Sequence, residues 1–335
     1  MKEQIRIEVF SRQDVERAVS LWNQCAKGGD MVYAPLTEAQ FREIFFESVH
    51  YSEEYMLAAY DGQGGLAGFT AGLVKRKYLQ GETFFNTPGY VTMVLVSPAW
   101  RRMGVGTKLL EELERRFHAI GKSRVMVTYR NPMALTWQIP EGGGARHNNA
   151  PGVVLDSPAY RLFVKKGYET KAVEDGMYLP LHHFTVGEKA LQKQKRLMKD
   201  GIVVELYDRE KHEGFEELFD ALHGEVWRET IRDNERRKKP LPVLIAAEGR
   251  KIIGFAGPVD KEKNGRGWFN GIATHPEYER RGIATVLFHR LMEQFSLIGA
   301  EYSTLFTDEG NPALTLYESV GFKVVGRFAV MEKEL

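Results

Sequence analysis

The sequence predicts an α/β (α+β) chain built from two successive, related domains, and three observations carry that prediction. At 335 residues the chain exceeds what one compact core ordinarily holds. Strand-like and helix-like patterns alternate along it. The same pattern also occurs twice, at a constant spacing of 178 positions. Pro98 pairs with Pro276, Gly104 with Gly282, Gly106 with Ala284, Leu109 with Leu287, Leu113 with Leu291, Phe117 with Phe295 and Gly121 with Gly299. Downstream, Ser157-Pro158-Ala159 matches Asn311-Pro312-Ala313, and Gly167-Tyr168 matches Gly321-Phe322. The spacing there is 154, so the first copy carries about 24 extra residues (178 − 154) before that point.

The first copy opens on Met1–Phe10, which alternates polar and apolar residues and predicts a strand over Ile5–Phe10. A helix follows, capped by Ser11, with Asp14 in its first turn. Its apolar stripe is Val15, Ala18, Val19 and Trp22; Cys25 falls on the same stripe and reads as a packed core thiol. Strands are expected at Tyr55–Ala59, Gly68–Val74 and Val91–Val96, then a helix with Leu109, Leu110, Leu113 and Phe117 on one face. The extra residues form an irregular insert over about 131–156, rich in glycine and proline, which reads as a shaper of a cleft or a packing element against the second copy. The second copy predicts a strand at Ile202–Tyr207, a helix around Phe215–Val226, strands at Val243–Ala247, Ile252–Gly257 and Phe269–Thr274, and a helix over Val286–Phe295. Gly187–Asp200 reads as a lysine-rich connector with one short helix. The expected division is therefore 1–186, a connector at 187–200, and 201–335.

Composition narrows the function. The formal net charge is +1, from 46 basic and 45 acidic residues, which argues against nucleic acid or an anionic membrane as the main partner. A local anion site remains open. One cysteine fits a reducing compartment, and neither a signal peptide nor a membrane-crossing run of roughly 20 apolar residues is recognisable, so the expectation is a cytoplasmic protein. His147 and the pair His182-His183 lack the spacing of a metal site, and no metal is expected. Arg232–Lys239 reads as a solvated charged loop.

The chemistry points to two loops. Arg101-Arg102-Met103-Gly104-Val105-Gly106 joins a strand to a helix, and Glu279-Arg280-Arg281-Gly282-Ile283-Ala284 does the same in the second copy. A helix N-terminus offers unpaired N–H groups and partial positive charge; small residues admit an anion close to the backbone, and arginines add charge-assisted bonds. A dinucleotide fingerprint fails at Leu109, a P-loop lacks its G-K-[S/T], and Gly142-Gly143-Gly144 precedes no apolar helix.

The pattern [Q/R]-x-x-G-x-[G/A] after such a strand resembles the acetyl-CoA signature of the GNAT (GCN5-related N-acetyltransferase) family. The first loop satisfies it throughout; the second departs only at Glu279. The resemblance implies two tandem GNAT domains, each with a central mixed, mostly antiparallel sheet flanked by helices and splayed where CoA binds. It implies that Arg101, Arg102, Met103, Gly104, Val105 and Gly106, or Arg280, Arg281, Gly282, Ile283 and Ala284, hold the CoA pyrophosphate. Pantetheine would pair with the backbone of Val94 and Val96, or of Ile272 and Thr274; Asn311 joins the second set.

In this family the proton donor to the departing thiolate is often a tyrosine on the next helix. Tyr317 matches it, whereas the aligned residue of the first copy is Phe163, which has no proton to give, with Tyr160 one turn away. No carboxylate lies on either strand before the loop; Asn270, Thr274 and His275 are the nearest polar groups, and His275 reads as structural. The expectation is acetyl transfer from acetyl-CoA to a small-molecule or peptide amine, with catalysis in the second copy and a monomer or homodimer. The alternatives are a non-catalytic acyl-CoA-binding scaffold, and aminoacyl transfer from charged tRNA, against which near-neutral charge and both CoA signatures argue.

Overall fold

The computed structural model describes residues 5–29 and 31–335. The alternation over Met1–Gln4 lies outside the described residues. In chain order the first half contains β1 (Arg6–Val9), α1 (Val15–Lys27), α2 (Glu38–Phe46), β2 (Met56–Tyr60), β3 (Leu66–Val74), β4 (Gly89–Val96), α3 (Val105–Ala119), β5 (Arg124–Val127), β6 (Trp137–Gln138), β7 (Arg146–His147), β8 (Val153–Val154), α4 (Pro158–Lys165) and β9 (Glu169–Pro180). The second half contains α5 (Glu188–Lys199), β10 (Ile202–Leu206), α6 (Phe215–Leu222), α7 (Glu225–Glu235), β11 (Leu244–Glu248), β12 (Lys251–Gly257), β13 (Asp260–Lys261), β14 (Arg266–Trp268), β15 (Gly271–Thr274), α8 (Ile283–Leu297), β16 (Tyr302–Asp308), α9 (Leu314–Val320) and β17 (Lys323–Glu334).

Two compact units result, and they are cut differently from the two sequence copies. The first comprises residues 1–176, 306–309 and 325–335; the second comprises 177–305 and 310–324. The first unit's sheet runs β1-β2-β3-β4-β5-β17, antiparallel except for β4 beside β5. Its strand beside β5 is thus the last strand of the chain, with Met331 opposite Val127 and Glu334 opposite Arg124. The end of β9 and the whole of Gly187–Asp200 go to the second unit, so the division at 186–200 separates copies and not compact bodies. A strand needs a partner edge, and the edge of β5 is filled by the second copy's terminal strand. The second unit has an antiparallel sheet β10-β11-β12-β15 and, in a separate ladder, β14 parallel to β16.

Three expectations are corrected. The helix expected over Phe215–Val226 ends at Leu222, where His223 turns left-handed (φ 50°) and Gly224 caps a separate α7. That second helix runs to Glu235, so much of the charged run from Arg232 is helical; Arg232 bridges Glu216 and Glu229. The strand expected over Phe269–Thr274 is broken at Phe269-Asn270 into β14 and β15. The short helix expected in the connector is α5, three turns long, with Ala190 and Leu197 buried. Cys25 is fully buried in the first unit's core, as its stripe implies.

Candidate active site

In each unit the central strand leaves its parallel neighbour after one short ladder. β4 pairs with β5 only at Gly89 with Val125 and Tyr90 with Met126. The equivalent ladder in the second unit joins Arg266 to Tyr302 and Gly267 to Ser303, after which β15 pairs with β12 alone. The matched glycines have a physical reason. A Cβ on Gly89 would sit 2.7 Å from the Phe117 ring, and one on Gly267 would sit 2.6 Å from Phe295. The helix that follows each loop therefore packs on the strand at the point where the splay begins.

Alternation then decides which backbone groups face the opening. Ser97 N–H donates to Ala67 O (2.9 Å), so Val94 and Val96 direct their main-chain groups to the opposite edge. His275 N–H donates to Ile253 O (2.8 Å), which turns Ile272 and Thr274 the same way. The hydroxyl oxygen of Thr274 is buried there without a hydrogen-bond partner.

The loops repeat each other's backbone. Arg102 and Gly104 adopt φ of 64° and 85°; Arg280 and Gly282 adopt 60° and 89°. A left-handed arginine is unusual, and its recurrence at matched positions shows that the loop geometry is specified. Gly104 and Gly282 cap α3 and α8, and Val105 and Ile283 anchor the first turns in the core. A Cβ on Gly106 would lie 3.2 Å from Leu162 and 3.4 Å from Val96, whereas Ala284 already carries one. The side chains diverge. Arg101 turns inward, its Nε donating to Val96 O (3.2 Å) and its Nη2 lying 3.4 Å from Cys25 Sγ. Met103 is exposed, while Arg281, its counterpart, lies 4.9 Å over the ring of Tyr278, whose hydroxyl donates to Glu248 (2.7 Å).

Tyr317 lies on α9, half-buried against Phe288 (ring centroids 5.2 Å) and Phe322 (6.4 Å). Burial pushes its pKa above the ordinary phenol value, so it carries a proton at neutral pH. Asn311 Oδ1 accepts from Ala313 N–H (2.9 Å), and its carbonyl accepts from Leu314 (3.0 Å), so it sets the turn into α9. His275 Nδ1 accepts from Glu277 N–H (3.3 Å) and caps the turn before the loop. In the first unit Phe163 is buried edge-on to Tyr168 (4.9 Å), and the Tyr160 hydroxyl lies 3.3 Å from Thr170 Oγ1.

Of the two roles read for the insert, packing against the second copy is seen in its contacts with β17. Trp137 is fully buried against Phe328 (4.9 Å), and β8 pairs with β17 at Ala329 and Phe328, so the insert packs on the second copy's last strand within the first unit. Asn131 Nδ2 donates to Thr92 Oγ1 (3.0 Å) on β4, just past the end of its ladder with β5. With residues 34–36, Gln40 and Glu43, the insert's Met133, Thr136 and Arg146 line an open pocket. Among the described residues no cluster of His, Cys, Asp and Glu suited to a metal is present, and no helix is long and apolar enough to cross a membrane.

Comparison with known proteins accords with this geometry. The family model described as acetyltransferase (GNAT) family matches residues 16–135 and again 203–322. The chain is similar to mycothiol acetyltransferase of Thermobifida fusca (strain YX), at 24% identity, covering 69% of this chain and 70% of that protein. Among solved structures it resembles the GCN5-related glucosamine N-acetyltransferase region of a fungal multi-domain GH3 β-N-acetylglucosaminidase (TM-score 0.64, 17% identity). That match covers 99% of this chain but only 38% of the longer protein. It also resembles a tandem GNAT protein from the clavulanic acid biosynthesis pathway (TM-score 0.54, 13% identity), over 99% of this chain and 98% of that one.

Proposed function

Because the chain belongs to the acetyltransferase (GNAT) family, we propose that it transfers an acetyl group from acetyl-CoA directly to a primary amine of a small molecule or peptide, with the chemistry in the C-terminal copy. The observation that carries the choice of copy is the Tyr317/Phe163 pair at matched positions. In this reading the amides of Gly282, Ile283 and Ala284, with Arg280 and Arg281, hold the pyrophosphate. The outward backbone of Ile272 and Thr274 extends the sheet with pantetheine. The amine nitrogen attacks the thioester carbon, the C–S bond breaks, and Tyr317 gives its proton to the departing sulfur while the amine's proton passes to solvent. Asn311 supports this arrangement by fixing the start of α9.

The same reading takes 1–186 and 201–335 as the duplicated domains, with the Arg101–Gly106 loop and Val94 and Val96 as a second CoA seat. It places the protein in the cytoplasm, as monomer or homodimer, with no metal. Release of free thiol from acetyl-CoA in the presence of an amine panel tests it. Release that depends on the amine is expected; acetyl-CoA binding without release from any amine indicates the acyl-CoA-binding scaffold instead.

A further inference from the structure

The second loop departs from the CoA signature at Glu279, and the structure supplies a cation there from elsewhere in the chain. Lys193 lies on α5, outside both sequence copies. Its Nζ donates to Thr285 Oγ1 (3.1 Å), in the first turn of α8. Its Cδ lies 3.1 Å from where a Cβ on Gly282 would stand; nothing lies within 4 Å of that point on Gly104. The helix is fixed in this position. Ala190 and Leu197 are buried, and Arg290 of α8 donates twice to Gln194 Oε1 (2.7 and 3.1 Å). In the first unit the signature arginine, Arg101, instead spends its donors on Val96 and Cys25.

We infer that Lys193 is a phosphate-binding residue of the second unit, delivered by the connector helix to the pyrophosphate seat in place of the signature side chain lost at Glu279. The inference rests on the reading of that loop as a CoA site. An ammonium has three donors, so one can stay on Thr285 while the others reach phosphate oxygens beside the free amides of the α8 first turn. Charge-assisted bonds of this kind are the strong ones, and the loop has no side chain at Gly282 to stand in the way. The connector thereby becomes part of the binding site as well as a link between the copies.

The test is calorimetric titration of the full chain, in a Gly104→Asp background that places a carboxylate in the first unit's seat. Lys193→Met is expected to weaken acetyl-CoA binding by about tenfold, with the same ratio for 3′-dephospho-CoA and a shallower salt dependence. Lys193→Arg is expected to keep most of the affinity. Lys193→Gln, one atom shorter but still carrying a donor, repeats the measurement without the charge should the methionine variant fold poorly. Unchanged affinity in both neutral variants overturns the assignment, and tighter binding does so as well, because it makes Lys193 a plug. A loss confined to acetyl-CoA and absent with 3′-dephospho-CoA overturns the pyrophosphate seat. If Gly282→Asp in the same background leaves binding intact, the CoA reading of the second loop fails, whatever Lys193 does.

Discussion

The two units keep the same backbone at the splay and the loop but fill it differently. In the first, the protein's own side chains take up polar groups of β4: Arg101 donates to Val96 O, and Asn131 donates to Thr92 Oγ1. In the second, Thr274 Oγ1 is buried and unpartnered, Glu279 replaces the arginine, and Tyr317 stands where the first unit has Phe163. Buried polar atoms are ordinarily satisfied, and the first unit has orphans of its own at Trp137 Nε1 and Tyr168 OH, so the contrast between the units lies in the side chains and not in the number of orphans. Duplication has preserved the conformation that left-handed residues and helix packing enforce, while the polar contacts around the loop and strand have diverged.

The largest effect separating the units concerns stability. Only the first unit has the insert, and its core rests on Trp137, which meets Phe328 and packs so closely on Gly176 that a Cβ there would stand 3.0 Å from the indole. Trp137→Ala is expected to destabilise that unit by about 3–5 kcal/mol, and Trp137→Phe by much less. Chemical denaturation followed by near-ultraviolet dichroism reads this; a loss below about 1 kcal/mol would make the insert a surface loop.

Next is turnover. Tyr317→Phe is expected to lower kcat by about a hundredfold or more while leaving the KM for acetyl-CoA within about a factor of two, because a general acid acts on the transition state and not on binding. Thiol release under saturating amine measures it. The pH profile adds a sign. Burial raises the folded pKa of Tyr317, so the donor stays protonated through neutral pH, and an alkaline decline in kcat is expected only above the ordinary phenol range. An unchanged kcat in the phenylalanine variant would return the chemistry to the first copy.

A smaller effect compares the loops directly. An aspartate can adopt left-handed φ at some strain, a Cβ on Gly104 meets nothing within 4 Å, and one on Gly282 meets only the flexible Lys193 side chain (3.1 Å), so Gly104→Asp and Gly282→Asp are both expected to fold. Gly282→Asp is expected to lower kcat/KM by about ten- to a hundredfold through charge repulsion at the phosphate seat, and Gly104→Asp by a much smaller factor. Equal losses would show that both copies serve one reaction.

Much of this was legible because it is enforced locally. Pro98 and Pro276, the loop glycines, and the Leu109/Leu287 and Phe117/Phe295 stripes are dictated by turn geometry and helical period, so strand, loop and helix could be placed from sequence. What was not legible depends on which distant segments meet. Nothing in the alternation of Lys323–Glu334 says that it pairs with β5 of the other copy. A lysine on a connector reads as solvated until α5 is seen against α8, and an irregular insert gives no periodicity from which Trp137 could be assigned to the core. Phe269-Asn270 breaks a strand that its apolar neighbours predicted, because the splay needs a bend there.

The smallest expected effect probes whether a hydroxyl at the matched position suffices. Phe163→Tyr in the Tyr317→Phe background restores the family's side chain to the first copy alone. Phe163 is buried, its ring 4.9 Å from that of Tyr168, whose own hydroxyl is buried near Glu114. A second phenol in that space costs about 1 kcal/mol unless the two hydroxyls pair. Thiol release is expected to stay at the level of the single variant, since Arg101 is held on Val96 O and Asn131 on Thr92 in this copy, and the new hydroxyl would lie in the buried space beside Tyr168. Recovery of even a tenth of the parent rate would mean that those side chains yield to ligand, and the difference between the copies would reduce to one oxygen atom.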